Sequence, residues 1–267
     1  MNLYQHSGKI GYAPILLFGA GIPLLLILAL IYAYINVYNP IGGYITFLII
    51  LGYGFACGFA ISILLKFGKT RSKMFCFIGG LVGAFLSLYF AWSFFLYALV
   101  HRFGVADVGM LDIILNPFAV WALINEINKT GWFTIKGGTP SGIFLWFLWG
   151  IEAVTILLIV TLIGSSAIDD EMFCEKCGKW CDVSETKHLK IPIEHASSKA
   201  SAINPLMLGN LENAESINAR PVIKAEQLKC SNCINYSGWR YKIVSSEIDK
   251  DGNEKDKTDN ISGIVMA

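Results

Sequence analysis

The chain has 267 residues, of which 54% are hydrophobic and only 15% charged, with a mean hydropathy of +0.54. A soluble domain of this length needs far more charge to cover its surface, so a wholly soluble protein is excluded. A formal net charge of +1 gives no basic surplus of the kind nucleic acid selects. Nearly all the apolar length precedes Gly164, and a polar, charge-rich remainder begins at Asp169. That shift divides the chain into a membrane domain over residues 1–166 and a soluble domain over residues 167–267.

Four stretches reach the roughly 20 apolar residues that a helix needs to cross about 30 Å of hydrocarbon. They are residues 14–35, 41–67, 74–100 and 143–164. The first is too long for a signal peptide, is flanked only by Lys9 and lacks a small-residue cleavage site, so it is expected to stay as an anchor. Pro23, following Gly19 and Gly21, should kink or loosen it. The turn between the second and third spans carries Lys66, Lys69, Arg71 and Lys73, whereas 36–40 carries no cation. By the positive-inside rule this turn, the N-terminus and the C-terminal domain face the cytosol. Gly54 with Gly58, Gly79 with Gly83, Gly80 with Ala84 and Gly83 with Ser87 place small residues four apart, the spacing that lets helices approach closely. The partner is a neighbouring span or a second copy of the chain.

Between the third and fourth spans, residues 107–130 are too interrupted to cross. Asp112 and Pro117 break the segment. Asn116-Pro117 reads as a helix start and Gly131 as its end. Val120, Leu123, Ile124 and Ile127 fall on one face, opposite Asn125, Glu126, Asn128 and Lys129. With Trp121 alongside, this predicts an amphipathic helix in the outer headgroup region. Residues 132–136 read as a short strand. Asn116-Pro117, Trp121, Ile124-Asn125-Glu126-Ile127, Gly131-Trp132, Pro140-Ser141-Gly142 and Leu145-Trp146 through Ile151-Glu152-Ala153 together resemble a pattern in uncharacterised bacterial membrane proteins with a few spans and a cysteine-pair tail. The resemblance implies a bacterial inner membrane and brings no activity with it.

Glu152 is the one acidic residue well inside a span. A carboxylate at that depth costs several kcal/mol unless it is protonated, hydrated or paired, roughly 3 on insertion scales. It is either a proton or cation relay, or a protonated acid hydrogen-bonded to a neighbouring span. Ser87, Tyr89, Ser93, Tyr97 and Arg102 are candidate partners.

Five of the seven cysteines lie in the tail; Cys57 and Cys76 sit in apolar runs and read as small buried hydrophobes. Cys174-x-x-Cys177 and Cys230-x-x-Cys233 can supply four thiolates to one tetrahedral zinc. Cys174-x-x-Cys177-Gly178-x-Trp180 resembles a zinc ribbon. The 52 residues between the pairs exceed the roughly 15–20 of the compact form, so residues 182–229 are expected to be a long insertion. A tail poor in large apolar residues needs such a staple. Cys181 is a spare buried thiol or an alternative ligand. A Cys174–Cys177 redox pair and outward-facing disulfides remain open as rivals. Strands are expected at Trp239–Ile248 and Ile261–Val265, joined by a turn at 249–253.

The fold expected is therefore a four-helix membrane bundle with an interfacial amphipathic helix, followed by a small β-rich, zinc-ribbon-like domain. No Ser/His/Asp constellation, phosphate loop or metalloprotease helix points to an enzyme. The leading expectation is a membrane-anchored module with structural zinc on Cys174, Cys177, Cys230 and Cys233, binding a protein partner as an adaptor or assembly factor. A small proton- or ion-coupled transporter using Glu152 is the first alternative, and a membrane thiol oxidoreductase the second. A homo-oligomer is compatible with either; nucleic acid is not indicated.

Overall fold

In the computed structural model the described residues are 2–39, 44–104, 108–133, 138–190, 206, 208, 221–233, 236–248 and 254–266. They form two compact units, Ile10–Ala167 and Met1–Lys9 with Ile168–Ala267.

Four helices of the first unit are long and apolar enough to cross a membrane: Ala13–Tyr38, Ile45–Phe67, Lys73–Phe103 and Gly142–Ser165. The first is built as α1 (Ala13–Leu16), a single π turn (Leu17–Gly21) and α2 (Ile22–Tyr38). Pro23 lacks an N–H and its ring crowds the carbonyl four residues back, so the helix widens over Gly19 and Gly21 instead of breaking. α3 (Tyr44–Phe67) is followed by a turn whose Gly68 carbonyl accepts from the Tyr12 amide at 2.7 Å, tying it to the start of the first span. α4 (Lys73–Phe103) starts at Ser72, whose hydroxyl accepts from the Phe75 amide, and stops at Gly104 with φ +62°. Residues 41–43 of the expected second span lie outside the described set.

The small residues are used inside the bundle. Gly54 and Gly58 of α3 lie against Ile159 and Ile163 of α7 (Gly142–Ser165). Gly80 of α4 meets Gly164 of α7 backbone to backbone: a Cβ built on Gly164 would fall 2.7 Å from Gly80 Cα. Gly83 faces Ile61. Between the last two spans stand α5 (Met110–Ile114) and α6 (Pro117–Thr130). Asn116 Oδ1 accepts from the Ala119 amide at 3.1 Å, and Gly131, with φ +73°, ends the helix by donating to the Ile127 carbonyl. The strand expected at 132–136 lies largely outside the described residues.

The second unit is antiparallel β structure. β1 (Phe173–Cys174) and β2 (Lys179–Trp180) form a small hairpin. β3 (Asp182–Lys190), β4 (Val222–Lys229), β5 (Ser237–Ile248) and β6 (Glu254–Met266) form a four-stranded sheet in that order. Leu189, Ile223, Ala225, Tyr241, Ile243, Ile261 and Val265 build one core, with Leu208 over it. Met172, Leu228 and Ile264 build a second around the tail cysteines. The segment expected to be an insertion, 182–229, is therefore strand at both ends. β3 escapes sequence reading because it is an edge strand exposed along most of its length, with little apolar alternation to reveal it. β6 starts earlier than expected because Lys255, Asp256, Lys257 and Asp259 interrupt its alternation. The turn expected at 249–253 lies outside the described residues.

The first nine residues, expected in the membrane domain, belong to this second unit. Leu3 bridges Val265, the Tyr4 amide donates to the Ile264 carbonyl at 2.8 Å, and the Met266 amide donates to the Asn2 carbonyl at 2.9 Å. The N-terminus thus covers part of the free edge of β6.

Candidate metal centre

Each Cys-x-x-Cys pair sits on a tight turn. Cys174 closes β1; the Gly178 amide donates back to the Cys174 carbonyl at 2.8 Å. Gly178 has φ +62°, the left-handed conformation glycine adopts without penalty, and it turns the chain into β2. Phe173 and Trp180 meet edge to face below the turn, with centroids 4.9 Å apart. The second pair lies between β4 and β5, where the Cys230 amide donates to the Tyr236 carbonyl at 3.1 Å. The Tyr236 hydroxyl in turn donates to the Phe173 carbonyl at 3.0 Å, linking one turn to the other.

The long separation of the pairs is bridged by strand pairing. Asp182 pairs with Lys229, and the ladder continues to Lys190 opposite Val222. Cys181 and Cys230 flank that first rung, so the first turn hands directly to the second whatever the length of chain between Lys190 and Val222. Loop-closure cost grows only as the logarithm of loop length, and the ladder carries it.

The sulfurs of Cys174, Cys177, Cys230 and Cys233 all lie within 4.8 Å of one another and can hold a metal ion. Cys174 Sγ is 3.7 Å and Cys177 Sγ 3.1 Å from Cys233 Sγ. These distances are far beyond a disulfide bond of about 2.05 Å, and all four cysteines are free thiols. A tetrahedral site with metal–sulfur bonds of about 2.3 Å has sulfur–sulfur edges of about 3.8 Å, close to the spacing seen. The neighbouring sulfur of Cys233, and then burial, push the Cys177 thiol up to about 12. The Asn232 amide brings Cys230 down to about 7. Four thiols so close resist ionising together, and a divalent cation among them reverses that preference.

Cys181 lies outside this set of four. It is buried at 4% exposure, and burial pushes its thiol up to about 12. Cys57 and Cys76 are buried in α3 and α4. The N-terminal segment contributes to the surround of the site, which nothing in residues 1–9 signals locally. The Tyr4 hydroxyl accepts from the Phe173 amide at 3.1 Å and its ring packs beside the cysteines. Ser7 and Lys9 both reach Glu175, within the first pair.

Glu152 belongs to α7, in the other compact unit, and has a partner of its own. The Tyr32 hydroxyl of α2 donates to Glu152 Oε1 at 2.6 Å, and the Tyr32 ring stacks on Tyr53 of α3 at 4.3 Å. The candidate partners on α4 are engaged elsewhere. Ser87 donates to the Gly83 carbonyl, Tyr89 to Ile114, Ser93 to Tyr89, and Arg102 to Val37, while the Tyr97 ring lies against His101. The Tyr32–Glu152 bond connects the first and fourth spans.

Compared with known proteins, the chain matches no family model, no curated protein and no solved structure.

Proposed function

We propose that the protein is a multi-pass membrane adaptor or assembly factor whose soluble unit is a zinc-ribbon-like module with one structural zinc on Cys174, Cys177, Cys230 and Cys233. The observation that carries this reading is the convergence of the four sulfurs, from two turns on separate strands, within 4.8 Å. An all-thiolate tetrahedral set favours zinc, and a closed set of four leaves no open position for catalysis. Such a module acts by presenting a surface, and a protein is the partner this suits. Orientation rests on parity. Met1–Lys9 folds with the residues that follow α7, so an even number of spans separates two segments on one side. On that count the turn carrying Lys66, Lys69, Arg71 and Lys73 shares their side, and its charge supports a cytosolic orientation. In a cytosol, thiolates hold metal more readily than they form disulfides.

Elemental analysis of the full chain in detergent tests the site. One zinc per chain is expected, and none in Cys230→Ser/Cys233→Ser. A chain that folds with no zinc and a reversible Cys174–Cys177 disulfide overturns the reading in favour of thiol chemistry. The Tyr32–Glu152 hydrogen bond favours a second reading, proton-coupled transport. Glu152→Gln separates the two: the amide oxygen still accepts from Tyr32, so an adaptor keeps its full thermal stability and cellular role, whereas a proton carrier loses its role while keeping its stability.

A further inference from the structure

Two fixed points set the position of α5 and α6 along the bundle. The Tyr89 hydroxyl donates to the Ile114 carbonyl, at the end of α5, at 2.6 Å. The Asn128 side-chain amide, near the end of α6, donates to the Gly142 carbonyl at 2.9 Å. Gly80 and Gly164, in contact, provide a common level on α4 and α7. At 1.5 Å per residue Tyr89 stands about 14 Å from that level and Gly142 about 33 Å. The difference of about 20 Å equals the length of a 14-residue helix, so α6 runs steeply along the bundle.

The lower fixed point is inside the hydrocarbon. α4 has 31 residues and is about 46 Å long, with Tyr89 about 24 Å from one end and 21 Å from the other. A hydrocarbon core of about 30 Å can slide along such a helix by only about 16 Å, and in every position Tyr89 remains at least about 6 Å within it. At that end of the hairpin the large exposed side chains are apolar, beside Asp112 and the capping Asn116. Leu111, Leu115 and Phe118 are 66%, 76% and 87% exposed. At the other end the exposed groups are charged, with Glu126 and Lys129 paired at 2.9 Å. Trp121 lies between, against Trp146 with centroids 5.6 Å apart. Polarity therefore changes along the axis of α6 as well as around it, which suits a helix crossing the membrane boundary better than one lying flat upon it.

We propose that residues 110–130 form a re-entrant helical hairpin whose tip, at Leu115 and Phe118, enters one leaflet and is solvated by phospholipid acyl chains, while the exposed Asp112 is held back by the Gly109 amide at 3.1 Å. Non-helical backbone at that depth needs its polar groups satisfied. At the turn, Tyr89 satisfies the Ile114 carbonyl and Asn116 Oδ1 accepts from the Ala119 amide. The hairpin replaces the flat headgroup helix that the sequence pattern suggests, and it does not depend on the zinc reading.

The test is photo-crosslinking of the full chain in native membranes. A benzophenone amino acid replaces Leu115, Phe118, Glu126 or Leu158 in turn; Leu158 is an exposed apolar position of α7 that serves as the reference. Phospholipid adducts at 115 and 118 are expected in yields within about twofold of that at 158, with little at 126, because all three apolar positions share the acyl-chain environment. Labelling at 158 without phospholipid adducts at 115 and 118 overturns the proposal. So do adducts at 115 and 118 to a protein chain, which would make the tip a protein-docking face.

Discussion

Glu226 illustrates how a single side chain organises one face of the sheet. It is 5% exposed and meets Lys224, Arg240 and Lys242 at 2.8, 2.6 and 3.1 Å. Burial alone would raise its carboxyl, but hydrogen bonds from Lys224, Arg240 and Lys242 outweigh that and hold it at about 2. Arg240 also donates to the Asp170 carbonyl at 2.6 Å, fixing the turn that leads into β1 and the candidate metal centre. Glu226→Gln leaves three cations facing one another, and its expected cost is about 2–3 kcal/mol, seen as a lower melting temperature of the soluble unit at neutral pH. The acid's contribution is full above its unfolded value of about 4.3 and fades as pH falls towards 2. The difference in melting temperature between the wild type and Glu226→Gln should therefore shrink across that window. Acid loss of bound metal affects both proteins alike and cancels from the difference. A difference that stays constant down to pH 2 would sink this assignment.

At the level of elements, close approach of helices separates glycines that must be glycine from those that need not be. Gly164 faces the Gly80 backbone, which cannot move aside, so Gly164→Ala should push α4 and α7 apart at roughly 1–3 kcal/mol. At Gly83 the nearest obstacle is the far end of the Ile61 side chain, which can rotate, so Gly83→Ala should cost less. Melting in one detergent ranks the two, and the reverse order would contradict the packing described. The spans were legible in sequence because an unbroken apolar run of about 20 residues matches the thickness of a bilayer. The four cysteines that could hold a metal were legible as a set because two turns of the same spacing announce themselves. β3 was not, since its sequence from Asp182 to Lys190 has little to bury and is held chiefly by its backbone ladder to β4. The steep course proposed for α6 was not legible either: amphipathic periodicity reports a helix's faces, and the bonds from which its inclination is inferred, Tyr89 to Ile114 and Asn128 to Gly142, reach other elements. Nor did the sequence distinguish Tyr32 from the candidates on α4 as the partner of Glu152, because span-to-span register leaves no local pattern.

On the scale of the molecule, residues 2–9 fold with the strands that follow α7 into one compact unit. Asn2, Leu3 and Tyr4 extend the β6 edge, and Lys9 closes on Glu175 at 3.0 Å. Deleting residues 2–9 should leave the membrane helices intact and speed the loss of the proposed zinc to a chelator, because Tyr4 no longer covers the cysteines. Unchanged release would show that the N-terminus is only an ornament on the sheet. The arrangement also imposes an order on biosynthesis. Leu3 leaves the ribosome long before Val265 is made, and every membrane span is synthesised in between. Residues 2–4 have no β6 to pair with until that strand is made. The packing of Tyr4 beside the cysteines, which rests on its pairing with β6, can therefore form only after the helices between have been made, so the covering of the candidate metal centre is a late step.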